Sequence, residues 1–334
     1  MSRRPRLAAG TALLLIAAVS GCGTTTTPAS DGSDFPKKGS TIEWVVPSAA
    51  GAGNDILARI MAPAMQEDLG ANVKVVNREG GNQVIGLNQV AAAKPDGQTI
   101  GYTNIPSILG RYLDPSKKAG FDRGSFTPVG SFASNDVIIA VNKDSSYQSI
   151  EDLVDGVKKD HGKVTAATDS RAGDDHVNLR ILEKQLELDM NIVHYNSGAD
   201  KVAALVSGEV DVALGGVSSF YGPYKSGDLK ILAVVDDDGS SFLPDVPTMK
   251  SAGYEVDSMT NNFAVSVPKG TPQPIVDRLE ASLKKTSEDP DVRAKLKDAA
   301  TEPTWESADD VATLWEQREK ETKPIIDELL AEQE

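Results

Sequence analysis

Cysteine is nearly absent: Cys22 is the one thiol in 334 residues, so the chain forms no intrachain disulfide and no thiolate zinc cluster. Aromatic residues are scarce at 5%, which argues against a base-stacking platform for nucleic acid. Positive charge is short as well. Lys and Arg number 34 against 49 Asp and Glu, a formal charge of −15, and such a surface repels a phosphate backbone. The three histidines, His161, His176 and His194, stand in no metal-ligand spacing, so neither a metal nor a cofactor is expected. Gly216-Val217-Ser218-Ser219 lacks the glycine that a nucleophile elbow places two residues after its serine, which leaves a secreted hydrolase as a remote alternative. What is present is a globular balance, 40% hydrophobic and 25% charged, on a chain long enough for two domains.

The first segment reads as an address. Arg3, Arg4 and Arg6 precede the apolar stretch Leu7 to Val19, which is shorter than the roughly 20 residues a membrane-spanning helix needs and fits a signal-peptide core. It ends in Val19-Ser20-Gly21-Cys22, the pattern of a lipobox, with Cys22 as the lipidated residue. Cleavage after residue 21 removes three arginines and no acid, taking the charge from −15 to −18. Small polar residues from Thr24 to Ser33 follow, and residues 22–40 are expected to tether the body to the membrane from outside the cytoplasm.

From Thr41 onward, strand and helix patterns alternate. Strands are expected at Ile42–Val46, Val73–Val76, Thr99–Thr103, Val137–Val141, Val164–Thr168, Ile192–Tyr195, Val210–Leu214 and Ile231–Val235. Helical stripes run over Asn54–Leu69, with Pro63 expected to kink or break it, and over Val84–Ala92. Ser149 is placed to cap Ile150–Lys159, Asp174 to precede His176–Leu188, and Ser197 or Gly198 to precede Ala199–Ser207. Thr271-Pro272 opens a helix through Leu283, and Ser307 caps a last one to about Leu330, interrupted by Pro324. Strands separated by helices of this length imply parallel crossovers in an α/β sheet. The extended runs at Phe126–Phe132 and Ser258–Val267 suit two crossings between domains, which makes the first domain discontinuous: residues 41–136 with 259–334, around a second domain at 137–258.

The sharpest local feature is Val46-Pro-Ser-Ala-Ala-Gly-Ala-Gly-Asn-Asp55, a strand running into a helix start. Ile56 stands where a dinucleotide fingerprint needs its third glycine, and the Gly-Lys-Ser/Thr of a P-loop is missing. A capped tight turn and an anion site built from backbone amides both remain open. Four more small, polar loops follow strands, at Arg78–Gln83, Ser170–Asp174, Tyr195–Gly198 and Gly215–Ser218. Open α/β sheets bind ligands at the carboxyl ends of their strands, so five such loops in series point to a cleft lining.

Together these segments resemble the extracytoplasmic receptors of tripartite tricarboxylate transporters, the Bug receptors. The family pattern Pro-Phe-x-x-Gly-Gly-x-x-Asp…Ala-Arg is matched at Pro47 to Asp55 and Ala58-Arg59, with Ser48 in place of Phe and Ala52 in place of the second Gly. Val75-Val76-Asn77-Arg78-Glu79-Gly80, Pro95-Asp96-Gly97-Gln98-Thr99, Phe126-Thr127-Pro128-Val129, Gly208-Glu209-Val210-Asp211 and Leu243-Pro244-Asp245-Val246-Pro247-Thr248 follow in the family's order. Departures are concentrated in the loop Ser170 to His176 and near Asn261-Asn262, where the family commonly carries an aromatic residue. The resemblance implies an α/β, two-domain type II periplasmic-binding-protein fold that closes on a small organic carboxylate. It implies a receptor, not an enzyme, that hands its ligand to integral membrane transporter subunits; with the Cys22 pattern it is expected to be a lipoprotein, and a monomer is the default for a receptor that opens and closes. A ligand-sensing receptor for a membrane signalling partner shares every one of these features. The residues placed around one carboxylate are Ser48, Ala49, Gly51, Asn54, Asp55 and Gly81, with Thr103 and Asn104 nearby. Across the cleft stand Thr168, Ser170, Arg171, Asp174 and Tyr195, with the Arg171 fork expected at a second carboxylate or, at least equally, solvated on its loop or paired with Asp174 or Asp175.

Overall fold

The computed structural model describes residues 34–195 and 197–332, so the signal segment, Cys22 and the tether up to residue 33 lie outside the described residues. The first stretch alternates β1 (Thr41–Val46), α1 (Gly53–Leu69), β2 (Asn72–Asn77), α2 (Val84–Ala91), β3 (Thr99–Tyr102) and the single turn α3 (Leu109–Tyr112). A 17-residue strand, β4 (Phe126–Asn142), leads into α4 (Ile150–Lys159), β5 (Thr165–Thr168), α5 (Asp174–Leu186), β6 (Asn191–His194), α6 (Gly198–Ser207), β7 (Val212–Gly216), α7 (Val217–Ser226) and β8 (Leu229–Val234). The chain returns through β9 (Thr260–Pro268) and ends in α8 (Gln273–Glu288), α9 (Pro290–Asp298) and α10 (Ala308–Ala331).

The strands line up as β2-β1-β3-β9-β4-β7-β5-β6, with β8 also paired to β4. Strand β4 belongs to both halves of this sheet: Phe126 to Asp136 pair with β9, and Val137 to Asn142 pair with β7 and β8. Each half contains a parallel trio, β2-β1-β3 and β7-β5-β6, as the crossover spacing implies. The sheet as a whole is mixed, because β9 runs antiparallel to β3 and β4, and β4 antiparallel to β7 and β8. Pro128 and Gly130 do not end β4. The register shifts there, so the ladder absorbs them as irregularities.

Helices cover both faces of each half. Trp44 and Phe132 pack with Met61 of α1 and Leu279 of α8, while Val45 and Phe126 pack with Leu87 of α2 and Trp315 of α10. In the second half Val137 and Ile139 meet Leu153 of α4 and Leu182 of α5, and Ile138 and Ala140 meet Leu205 of α6 and Phe220 of α7. Burying a side chain of this size contributes roughly 1.5–3 kcal/mol. The strand alternation in β4 therefore supports two cores with one strand.

Several local expectations are corrected. Pro63 and Pro324 lie inside continuous helices, so neither breaks or interrupts its helix. Each deletes a hydrogen bond to a carbonyl on an exposed residue, Arg59 and Lys320, where the loss costs least. Gly173, not Asp174, is the residue before α5. Pro272 is the residue before α8 rather than its first, and that helix continues to Glu288. Phe35 packs against the first core, and the Ser40 carbonyl accepts from Asn72 N–H at 2.8 Å, so the end of the expected tether is docked on the body.

Candidate ligand cleft

Side chains tie the loops that follow β1, β2 and β5 and the turn after β3 to one another, and tie the start of α7 to β4. Asn54 accepts from the Asn104 amide at 3.0 Å, joining α1 to the residues after β3. Asn82 donates to Ser170 Oγ at 2.9 Å, which bridges the loop after β2 to the loop after β5 and so connects the two sheet halves. Asn135 of β4 donates to Ser218 Oγ at 2.9 Å and accepts the Ser218 N–H at 3.1 Å. Gly110 of α3 leans on the same β5–α5 loop so closely that a Cβ there would collide with the Ala172 carbonyl.

Asp55 organises the first loop. Its Oδ2 accepts from Gly51 N–H at 2.8 Å and Arg59 Nε at 2.9 Å, and its Oδ1 accepts from Asn77 Nδ2 at 2.9 Å. The Arg59 hydrogen bond leads in holding this buried carboxyl down at about 2, against the desolvation that raises it. Asn77 Nδ2 also donates to the Ser48 carbonyl at 3.1 Å. Gly51 takes φ +83°, a conformation that side-chain-bearing residues rarely adopt, and this turns the loop toward α1. A carboxylate accepting this many bonds positions the turn and leaves little room for a ligand's donor.

The helices that start at these loops are bare at the cap. Ala52, Gln83, Gly173 and Gly216 precede α1, α2, α5 and α7, and none of them caps its helix with its own side chain. The first N–H groups of a helix have no intrahelical acceptor and carry the positive end of the dipole, so these starts favour an anion. Groups outside these helices take four of the amides: Asn135 Oδ1 that of Ser218, Asp169 Oδ1 that of His176 at 3.2 Å, and the Gly81 and Gly80 carbonyls those of Val84 and Ile85 at 3.2 and 3.4 Å. Ser48 Oγ, Asn104 Oδ1 and Asn261 Oδ1 are shielded from solvent with no hydrogen-bond partner. The antiparallel register sets Asn135 directly opposite Asn261, so these two side chains emerge on one face of the β4–β9 ribbon. Pattern reading placed the Gly215–Ser218 loop in a cleft lining but did not single out Asn135, whose neighbours Ser218 and Asn261 reach it only once α7 follows β7 and β9 pairs with β4. The departure at Asn261-Asn262 from the family's aromatic is the signal that singled out that segment.

The structure distributes the other expected site residues unevenly. Ala49 and Gly81 are exposed on the first two loops, and Asp174 is half-buried in the first turn of α5. Thr103 is fully buried, its hydroxyl 2.6 Å from Ser266 Oγ. Thr168 is tied to His194 Nδ1 at 3.0 Å, and the Tyr195 hydroxyl donates to Glu209 at 3.0 Å. Arg171 donates to the Leu329 carbonyl of α10, and neither Asp174 nor Asp175 pairs with it. Asp175 instead meets Lys201 in a buried ion pair, and Lys201 also donates to the Leu214 carbonyl at 2.7 Å. His176 Nδ1 accepts the Ala172 N–H at 3.1 Å, and burial, with His194 and Arg171 nearby, lowers the imidazole to about 3, so it holds the loop as a neutral acceptor. Burial first, then Asp174 and Asp175, pushes the Asp169 carboxyl well above the usual range.

The sequence profile of the tripartite tricarboxylate transporter family receptor matches residues 57–330. The chain belongs to that family. It is 30% identical over 327 residues to a UPF0065 protein from the tcbD–tcbE intergenic region of Pseudomonas sp. strain P51, covering 97% of this chain and 94% of the relative. Its fold is that of periplasmic solute-binding proteins. An R. palustris protein solved with adipate superposes with a TM-score of 0.78 at 23% identity, covering 89% of this chain and 98% of that one. MatC from Rhodopseudomonas palustris, solved with bound malate, gives 0.75 at 23% identity, covering 87% and 100%.

Proposed function

We propose that the mature protein is an extracytoplasmic receptor that captures a small organic carboxylate in the cleft between the two sheet halves. It then delivers the acid to the membrane subunits of a tripartite tricarboxylate-type carrier. The observation that carries this reading is the row of helix starts without their own caps, α1, α2, α5 and α7, beside the unpartnered Ser48 Oγ. Fixed dipoles of this kind hold a carboxylate without net positive charge, which suits a chain whose formal charge is −15. Malate and adipate in two structural neighbours agree with the ligand class. In this reading residues 41–136 with 259–334 form one lobe and 137–258 the other, β4 and β9 crossing between them. Ser48, Ala49, Gly51, Asn54, Gly81 and Asn104 surround one carboxylate, while Ser170 and Asp174 face it from the other side. Asp55, Thr103, Thr168, Arg171 and Tyr195 hold the walls in place. Cys22 carries the lipid that keeps a monomeric receptor beside its carrier.

A thermal-shift panel of mono-, di- and tricarboxylates tests this. An acid present at 100-fold over its dissociation constant is expected to add about 2.7 kcal/mol of stability. A flat response across the panel contradicts the reading.

A further inference from the structure

On the side of the β4–β9 ribbon away from Asn135 and Asn261, a pocket of about 450 Å³ is closed by the chain after β8 and the segment before α10. The register places it there. Ser134 stands opposite Asn262 and Asp136 opposite Thr260, one residue out of step with the Asn135–Asn261 pair, so these four side chains emerge on the other face and line the pocket. Asp236, Asp238, Glu302 and Glu306 line it too, so five carboxylates surround one cation, Arg318. That cation is already engaged, with Glu321 at 3.1 Å and the Ser258 carbonyl at 3.0 Å. Asp136 is only 9% exposed, and beside it the buried Ser240 hydroxyl has no hydrogen-bond partner. No cation acts at Asp136 or Glu306: burial first, then Asp236 and Glu302, raises the first carboxyl, and burial first, then Asp310, raises the second. A carboxylate held out of water without a countercharge is costly, and a ligand that brings one removes that penalty.

We propose that this pocket is a second binding site, for a small organic diamine, one ammonium meeting Asp136 and Asp236 and the other the wall formed by Glu302 and Glu306. Among the described residues no three acids are grouped to hold one metal ion, and the volume is that of a small-molecule site, which favours an organic cation over a bare one. The site lies across the ribbon from the carboxylate loops and does not depend on their reading.

The probe is 1,4-diaminobutane, titrated by calorimetry into the mature protein at low salt. No organic acid is present, so failure here leaves the carboxylate cleft untouched. The expected result is saturable binding at a single site. Asp136→Asn keeps the shape but removes one charge, and is expected to weaken binding about tenfold or more. Glu306→Gln acts on the opposite wall and is expected to weaken it several-fold. 1-Aminobutane, with one charge, is expected to bind about tenfold or more weakly than the diamine. Glu67→Gln removes an exposed acid of α1 outside the pocket and is expected to change nothing, which separates this site from the negative surface as a whole. No saturable binding, an equal loss in Glu67→Gln, unchanged affinity in both pocket variants, or equal affinity for the monoamine overturns the proposal.

Discussion

Two sets of helix starts divide the molecule. At α4, α6, α9 and α10 the residue before the helix, Ser149, Ser197, Asp289 or Ser307, accepts an amide of the first turn, and Ser307 and Asp310 add a capping box. At α1, α2, α5 and α7 no such side chain is present. A cap of the first kind contributes about 1 kcal/mol, so the second set forgoes stability that the same fold obtains elsewhere. Three of the second set start from loops cross-linked between the strands' carboxyl ends, where Asn82 reaches Ser170 and Asn104 reaches Asn54. Under the proposed function the bare starts of α1 and α5 keep their amides for a ligand, whereas at α2 the Gly81 and Gly80 carbonyls already accept from Val84 and Ile85 N–H. Two helices cross the division: α6 starts after a parallel strand, yet Ser197 caps it, and α8 starts after Pro272 with no side-chain cap although it follows the antiparallel β9, so neither has a part in holding the anion.

Asp55→Ala is the largest break expected. It removes the acceptor that joins Gly51, Asn77 and Arg59, and about 2–3 kcal/mol of stability should go with it. Carboxylate affinity should fall with it by about a hundredfold, because the turn is no longer preorganised. The acid limb has a defined sign. The folded pKa of about 2 lies below the ordinary 3.8, so the Asp55 contribution is complete above that ordinary value and is lost as pH falls through about 2. Asp55→Asn should flatten that limb in an acid titration of stability, and an unchanged slope would assign it to other carboxyls.

Ala52→Asp sharpens the comparison, since it converts a bare start into a capped one. The extended backbone at Ala52, φ −71° and ψ 162°, is that of an ordinary cap residue. Stability should rise by about 0.5–1 kcal/mol while carboxylate affinity drops about tenfold or more, the new carboxylate occupying the anion's place. A rise in both would break the account. Arg171→Ala should cost a few-fold in affinity, equally for mono- and dicarboxylates, because its guanidinium holds the Leu329 carbonyl. A loss confined to dicarboxylates would return Arg171 to the ligand. Smallest of all, Ser149→Ala should lower stability by about 1 kcal/mol in chemical denaturation and leave affinity unchanged.

Much of the fold was legible because period and punctuation agreed. Ser149 followed by the stripe Ile150, Leu153, Val154 and Val157 marks α4 at both ends, and the apolar run at Ile42–Val46 marks β1. Helix α7 was not among the expected helices, and Gly222 and Pro223, both poor helix formers, sit within it. The length of β4 escaped too: the extended run at Phe126–Phe132 and the strand at Val137–Val141 were expected as separate segments, and only pairing with β9 joins them into one strand. In the site, the loops were legible as small polar runs at strand ends. Which side chains face one another was not. Asn135 and Asn261 are 126 positions apart and meet only through the register of two antiparallel strands. Arg171 illustrates the converse: a fork in a polar loop suggests a ligand contact, but α10 arrives from the far end of the chain and takes it.

The most direct measurement is a ¹H–¹⁵N titration of the mature protein with malate and adipate, following backbone amides at both kinds of helix start. The account predicts saturable shifts at Gly53 and Asn54 of α1 and at Asp174 of α5, with Asp152 and Asp310, behind their serine caps, unmoved. Saturable binding that leaves Gly53, Asn54 and Asp174 in place would contradict it.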